Sequence, residues 1–235
     1  MKRFYDEASV QEAEDGWQVT LDGRGLKTVK GTPQILPSVP LAHALAGEWA
    51  GQGENIDPTS FPMRDMADYA IDMIAPAPQA VIEKLGEYGD TDTLLYRADP
   101  DEPLYARQQD IWEPIVSALE LSEGITFKRV SGIMHAAQDA GTIATLRAHL
   151  ITLSPFALAG VETMTSLAAS LIIGISAIRE GADAKALWDA ASLEEEWQAQ
   201  QWGRDEEAEE RRARRTADFL RACEFVRLAG GSQQI

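Results

Sequence analysis

Cysteine, histidine and positive charge are all scarce in this chain. Of 235 residues one is cysteine, Cys223, which excludes an internal disulfide and fits a reducing compartment. The three histidines, His43, His135 and His149, share no helix face at metal-ligand spacing, so they indicate no metal site. Lysine and arginine number 21 against 38 acidic residues, leaving a net charge of −17. A surface of that sign is repelled by phosphate backbones and argues against nucleic acid or an anionic membrane as partners. Glycine-rich phosphate loops are absent too. LDGRG at Leu21–Gly25 matches neither GxxxxGK[ST] nor GxGxxG, and its glycines suit a hairpin turn. The start MKRFYDEASV is neither an apolar signal nor a transit peptide, so the expected address is the bacterial cytoplasm.

Long apolar runs are equally rare, and the single one organises the rest. Between Pro155 and Ile178 only Glu162 is ionisable. A membrane span needs ~20 predominantly apolar residues. About half of this run is Ser, Thr, Gly and Ala, with no Lys/Arg cluster to orient it. A helix apolar on every side must otherwise be buried in protein. The expectation is one central core helix from Ser154 to Glu180, capped by Ser154-Pro155 and stopped by Gly181, with no membrane insertion. GISAI falls inside that helix, so no nucleophilic serine is indicated.

The remaining composition, 45% apolar and 25% charged, is that of a globular chain. Its pattern changes along its length. Trp17–Leu21 alternates, Asp22-Gly23 signals a hairpin, Leu26–Val29 can return, and Ile35-Leu36 is a short strand. Ser38 caps a helix with Pro40 in its first turn that runs through LAHALAGEWA to Ala50, on which Leu41, Ala44, Leu45 and Trp49 share a face. Gly51–Pro62 is rich in Gly, Pro and Asp and marks a boundary. Beyond it helices dominate. Met66, Ala70, Met73 and Ile74 share one helix face, Pro103 opens another helix, Ile125–Val130 reads as a strand, and Thr142–Leu153 is helical. Asp183 and Asp205 cap two closing helices, the second with Glu207–Arg211 and Glu210–Arg214 at i,i+4 spacing. The fold class is therefore α+β: a small β-rich N-terminal domain, 1–60, followed by a mostly helical C-terminal domain, 61–235, around the buried central helix.

Three features invite a chemical role. Asp90-Thr91-Asp92 offers oxygen ligands to a divalent cation, or else caps a turn. Cys223, without a histidine nearby, suits core packing. In LEEEWQAQQWG, Leu193–Gly203, a helix unbroken from Asp183 places Leu187, Ala190, Ala191, Glu194, Trp197, Gln198 and Gln201 on one stripe. Glu194 then lies in line with the apolar face while Glu195 and Glu196 turn away. A carboxylate so placed is either bridged internally, to an arginine such as Arg97 or Arg107, or held at a rim where a partner docks between aromatic anchors.

Seven segments in order carry a family resemblance: KRFY at Lys2–Tyr5, WQVTLDGRGLKT at Trp17–Thr28, LPS at Leu36–Ser38, LAHALAGEW at Leu41–Trp49, DTDTLLYR at Asp90–Arg97, WEPI at Trp112–Ile115 and LEEEWQAQQWG. The chain resembles the assembly chaperones of the F-type ATP synthase catalytic head, the family that handles its alpha subunit in mitochondria and alpha-proteobacteria. Val29 and Leu95 depart from that pattern, where proline and cysteine are common. The resemblance implies a non-enzymatic chaperone, without cofactor, that covers the beta-facing surface of the unassembled alpha subunit. It places partner binding at Glu194 first, then at Glu195, Glu196, Trp197 and Trp202. A monomer is expected, in the bacterial cytoplasm or, for eukaryotic relatives, the mitochondrial matrix. The competing expectation is a metal-dependent enzyme built from Asp90, Asp92 and the Glu194–Glu196 cluster.

Overall fold

In the computed structural model, which describes residues 1–132 and 134–230, the N-terminal sheet turns at Asp22-Gly23. Both residues take positive φ, 49° and 76°, as a two-residue hairpin with right-handed strand twist requires. The sheet comprises β1 (Ala8–Ala13), β2 (Gly16–Leu21), β3 (Arg24–Gly25) and β4 (Ile35–Leu36). β2 is antiparallel to all three others. The return strand expected at Leu26–Val29 is shorter and earlier, with only a Lys27–Pro33 bridge beyond Gly25. β1 escapes the alternation test because its ASVQEA sequence buries no residue fully.

Helix α1 (Val39–Ala50) begins where Ser38 Oγ accepts the Leu41 N–H at 3.2 Å. Its buried Leu41, Leu45 and Trp49 form the expected face, with Ala44 half-buried at its edge. Tyr5 donates its hydroxyl to the Trp49 carbonyl at 2.6 Å, and the Trp49 ring lies 4.5 Å from that of Phe61. This aromatic chain continues into one apolar cluster that reaches Val226.

The helical part follows in order: α2 (Pro62–Tyr69), α3 (Pro78–Asp90), α4 (Pro103–Glu123), α5 (Ala140–Ile151), α6 (Pro155–Ala168), α7 (Leu171–Ala177), α8 (Ala184–Ala191), α9 (Leu193–Trp202) and α10 (Glu206–Leu228). β5 (Tyr96–Arg97) pairs in parallel with β6 (Val130–Ser131), so the strand expected over Ile125–Val130 contracts to its end. After α2 the chain widens into a π-turn over Ala70–Ile74. That wider turn breaks the 3.6-residue spacing and swings Met73 outward, to 49% exposure, away from buried Ala70 and Ile74. Among the described residues no helix is long and apolar enough to cross a membrane.

The single central helix expected from Ser154 to Glu180 is two helices. Ala169 adopts a left-handed conformation (φ 49°, ψ 34°) that ends α6. Ser170 Oγ then accepts the Ile173 N–H at 3.1 Å and starts α7. A straight helix of that length would span about 40 Å, the width of a whole domain. Folding it back buries the apolar run on all sides. Gly174 makes the close approach possible, since a Cβ there would lie 2.3 Å from Thr165 Oγ1 and 3.2 Å from the Val161 carbonyl.

Gly160 does the same for α6 against α10. A Cβ at Gly160 would meet Val226 Cγ2 at 2.2 Å and the Ala222 carbonyl at 3.2 Å. Gly160→Val is expected to cost ~1–3 kcal/mol through overpacking. An unchanged melting temperature would show that α10 is free to slide off α6.

Candidate functional site

The stripe expected on a single helix from Asp183 is divided at Ser192 (φ −90°, ψ 9°), a buried residue between α8 and α9. The division leaves the faces nearly in line, because the Ser192 carbonyl still accepts the Glu196 N–H at 3.0 Å. Leu193 is buried and anchors α9. Glu194 sits beside it, half-buried, on the inward side where the spacing predicts.

Its partner is neither Arg97 nor Arg107. Glu194 Oε1 accepts a hydrogen bond from Gln108 Nε2 at 2.7 Å. Gln108 lies on α4, fully buried, and its own Oε1 accepts the Ala98 N–H at 2.8 Å. That second bond fixes the amide orientation, so its NH2 group must face the carboxylate. Burial raises the Glu194 carboxyl above its ordinary value, and the Gln108 hydrogen bond only partly opposes the shift.

Both expected arginines are engaged elsewhere. Arg97 donates to the Leu94 carbonyl at 2.9 Å, to Gln109 Oε1 at 2.6 Å and to Glu113 Oε2 at 3.1 Å. Three acceptors closer in chain and space outcompete Glu194. Arg107 donates to Gln200 Oε1 at 2.8 Å, with its guanidinium 5.7 Å from the centre of the Trp197 ring. Among the described residues, no lysine or arginine is paired with Glu194.

Its neighbours contrast with it. Glu195 turns away as expected, whereas Glu196 is half-buried beside Leu193 and Ala190, and each is neutralised by α10 or the turn before it. Glu195 pairs with Arg215 at 2.8 Å, and Arg215 also caps the Leu167 carbonyl at 2.7 Å. Glu196 bridges Arg204, at 2.5 Å, and Arg212. The Arg212 hydrogen bond, the larger cause, and the nearby cations hold its carboxyl below the usual range. Trp197 is half-buried beneath Arg107, whereas Trp202 is 81% exposed and lines a cleft of about 390 Å³ with Arg204, Arg211 and Arg215. On α10 the predicted i,i+4 pairs form, Glu207–Arg211 at 3.3 Å and Glu210–Arg214 at 3.6 Å.

The metal alternative fails on the geometry of its ligands. Asp92 is fully buried, and its two oxygens accept the N–H groups of Leu94 at 3.0 Å and Ile172 at 2.8 Å. Asp90 accepts the Gln138 N–H at 2.7 Å. Its second oxygen lies 3.5 Å from His135 Nε2. Asp92 is thus committed to backbone donors, capping the turn at Leu94 as its position permits, and Asp90 to a distant backbone N–H and a histidine. Among the described residues no group of three or more His, Cys, Asp or Glu is disposed to hold a metal ion. Cys223 is half-buried with Sγ 3.1 Å from Met164 Sδ, and burial pushes its thiol up to about 12. It packs, as its setting suggests.

Gln108 is the site residue that sequence reasoning misses. A glutamine inside a polar helix carries no local mark of burial. Its only signal is that Gln108 and Trp112, four residues apart, share the buried face of α4.

Comparison with known proteins agrees with this architecture. The profile of the family described as ATP12 chaperone protein matches residues 2–120. The chain is similar to the mitochondrial protein atp12 of Schizosaccharomyces pombe, 24% identical over 221 residues that cover 89% of this chain and 76% of the relative. It is also similar to the crystal structure of Atp12 from Paracoccus denitrificans, with 37% identity, a TM-score of 0.91, and coverage of 97% of this chain and 98% of that one. The Atu1473 protein of Agrobacterium tumefaciens aligns with 38% identity and a TM-score of 0.92, over 97% of this chain and 85% of that one.

Proposed function

The chain belongs to the ATP12 chaperone family, and from that premise we propose that it is an assembly chaperone of the F-type ATP synthase which binds the unassembled alpha subunit. The client surface is α9 and the turn after it, with Glu194 at its centre and Glu195, Glu196, Trp197 and Trp202 around it. The observation that carries this placement is the half-buried Glu194 carboxylate, hydrogen-bonded to a fully buried amide yet left without a cation among the described residues. A side chain kept in that state costs stability, and such costs are concentrated where a protein works.

An exposed client surface aggregates unless it is covered. The chaperone releases its client when the beta subunit competes for the same face, so differences in affinity are sufficient and no bond is made or broken. It acts as a monomer in the bacterial cytoplasm, and the chain divides near residue 60 into sheet and helical parts. Light scattering is the direct test. The protein should suppress aggregation of isolated alpha subunit and leave the assembled catalytic head unaffected. Indifference to both would end the proposal.

Glu194→Gln separates this role from a structural one. The folded-state carboxyl is raised, so the stability that Glu194 contributes is fully present below its unfolded value, near 4.5, and is lost as pH rises through the folded value. Glutamine keeps the bond length and escapes that loss. At pH ~7.5 the variant should therefore melt as high as the parent or higher, by at most ~1 kcal/mol after screening by water, while losing chaperone activity. A lower melting temperature at neutral pH would make Glu194 a structural residue.

A further inference from the structure

The three consecutive glutamates of α9 differ in one respect: Glu195 and Glu196 have arginine partners and Glu194 has none among the described residues. The cations nearest in sequence are no reserve for it. Arg97 is held by three acceptors, and Arg107 is engaged by Gln200 and stacked on Trp197. Glu194 is half-buried, and only one of its oxygens, Oε1, is bonded within the described residues, by Gln108 Nε2. We infer that Glu194 is one half of an ion pair whose other half, an arginine or lysine side chain of the client, arrives on binding, and that Gln108 is the positioning residue that aims the carboxylate outward.

The geometry supports each part. A lone carboxylate at the rim of an apolar face is poorly solvated, so it gains more from an incoming cation than a fully hydrated one does. The Ala98 N–H locks the Gln108 amide, which holds Oε1 and leaves Oε2 without a bond among the described residues. The paired Glu195 and Glu196 present no comparable vacancy, because a client cation would first have to displace an intramolecular guanidinium. Charge thus selects the approach to α9, and the exposed Trp202 at the far end of the same helix supplies apolar contact.

The inference rests on the chaperone reading, and the test keeps the two apart. Purified alpha subunit is titrated with the full chain and with Glu194→Asp, Glu194→Gln, Glu194→Met and Glu194→Lys, each checked for unchanged circular dichroism. An ion pair predicts a ladder. Aspartate stays closest to the parent, glutamine and methionine lose at least ~10-fold in affinity, and lysine loses more than either because it repels the incoming cation. Should the lysine variant fail to fold, the order of the remaining three decides. Glutamine binding as tightly as glutamate would overturn the cation, while tight binding by the parent left the chaperone role standing. So would equal losses in glutamine, methionine and lysine, which would point to shape. If the parent itself does not bind alpha, both proposals fall. Gln108→Leu should compress the spacing between the glutamate and glutamine rungs; an unaltered ladder in that background would remove Gln108 from the device.

Discussion

Arg97→Ala is expected to lower the unfolding free energy by about 3 kcal/mol, or roughly 6–12 °C in melting temperature for a chain of this size. Arg97 is 3% exposed, and all three of its guanidinium nitrogens donate. Nε holds the Leu94 carbonyl, and the other two nitrogens reach Gln109 and Glu113 on α4, with the guanidinium 5.6 Å from the Trp112 ring centre. One side chain therefore fastens the Asp92–Arg97 segment to α4. Truncation strands a carbonyl and an amide oxygen and leaves a cavity. The loss stays near the lower end of what breaking a buried ion pair costs, because Glu113 keeps Arg129 at 2.6 Å. Arg97→Lys should recover less than half, since one ammonium cannot reach three acceptors set out for a planar fork. Urea unfolding measures both, and a deficit below ~1 kcal/mol for the alanine variant would show that Arg129 takes over the whole network.

Asp92→Ala should cost ~2–4 kcal/mol, because two buried N–H groups lose their acceptor at once. The carboxylate joins the turn at Leu94 to the start of α7 at Ile172, so its removal unties α7 from the segment Arg97 holds. The deficit should also depend on pH with a definite sign. Burial, the dominant cause, raises the Asp92 carboxyl from 3.8 to about 6, against the opposing hydrogen bonds from Ile172, Ser170, Leu94 and Leu171. A group raised on folding contributes stability that is fully present below its unfolded value and is lost as pH rises through the folded one. The gap between parent and variant should therefore widen as the solution is acidified from pH 7 through about 6 towards 3.8. A gap that narrows on acidification would mean that hydrogen bonding, not desolvation, governs this carboxyl.

These two residues show where local patterning stops. DTDTLLYR reads as a turn followed by an extended piece, which it is, yet nothing in its spacing tells that Asp92 caps a helix 80 residues away. The same holds for Glu162 inside the apolar run. It is 8% exposed and accepts from Tyr69 Oη at 2.6 Å and Lys84 Nζ at 2.7 Å, both on helices far upstream. Burial, the larger cause, and this bond to Glu162 push the Tyr69 hydroxyl up to about 12.

The sequence alone determined the elements whose causes are local. Asp22-Gly23 dictates a two-residue hairpin because both positions need positive φ. Ser38, Ser154, Asp183 and Asp205 cap helices through oxygens within three residues of the N–H groups they satisfy. The i,i+4 spacing pairs charges along α10, and the uncharged run must be buried because water rejects it. Tertiary structure decided what depends on approach from a distance: the break at Ala169, the outward Met73, and the partners of Arg97 and Glu194. Helical period places a carboxylate on a face, but whether a cation meets it is settled by which other side chains arrive there, and by which acceptors reached that cation first.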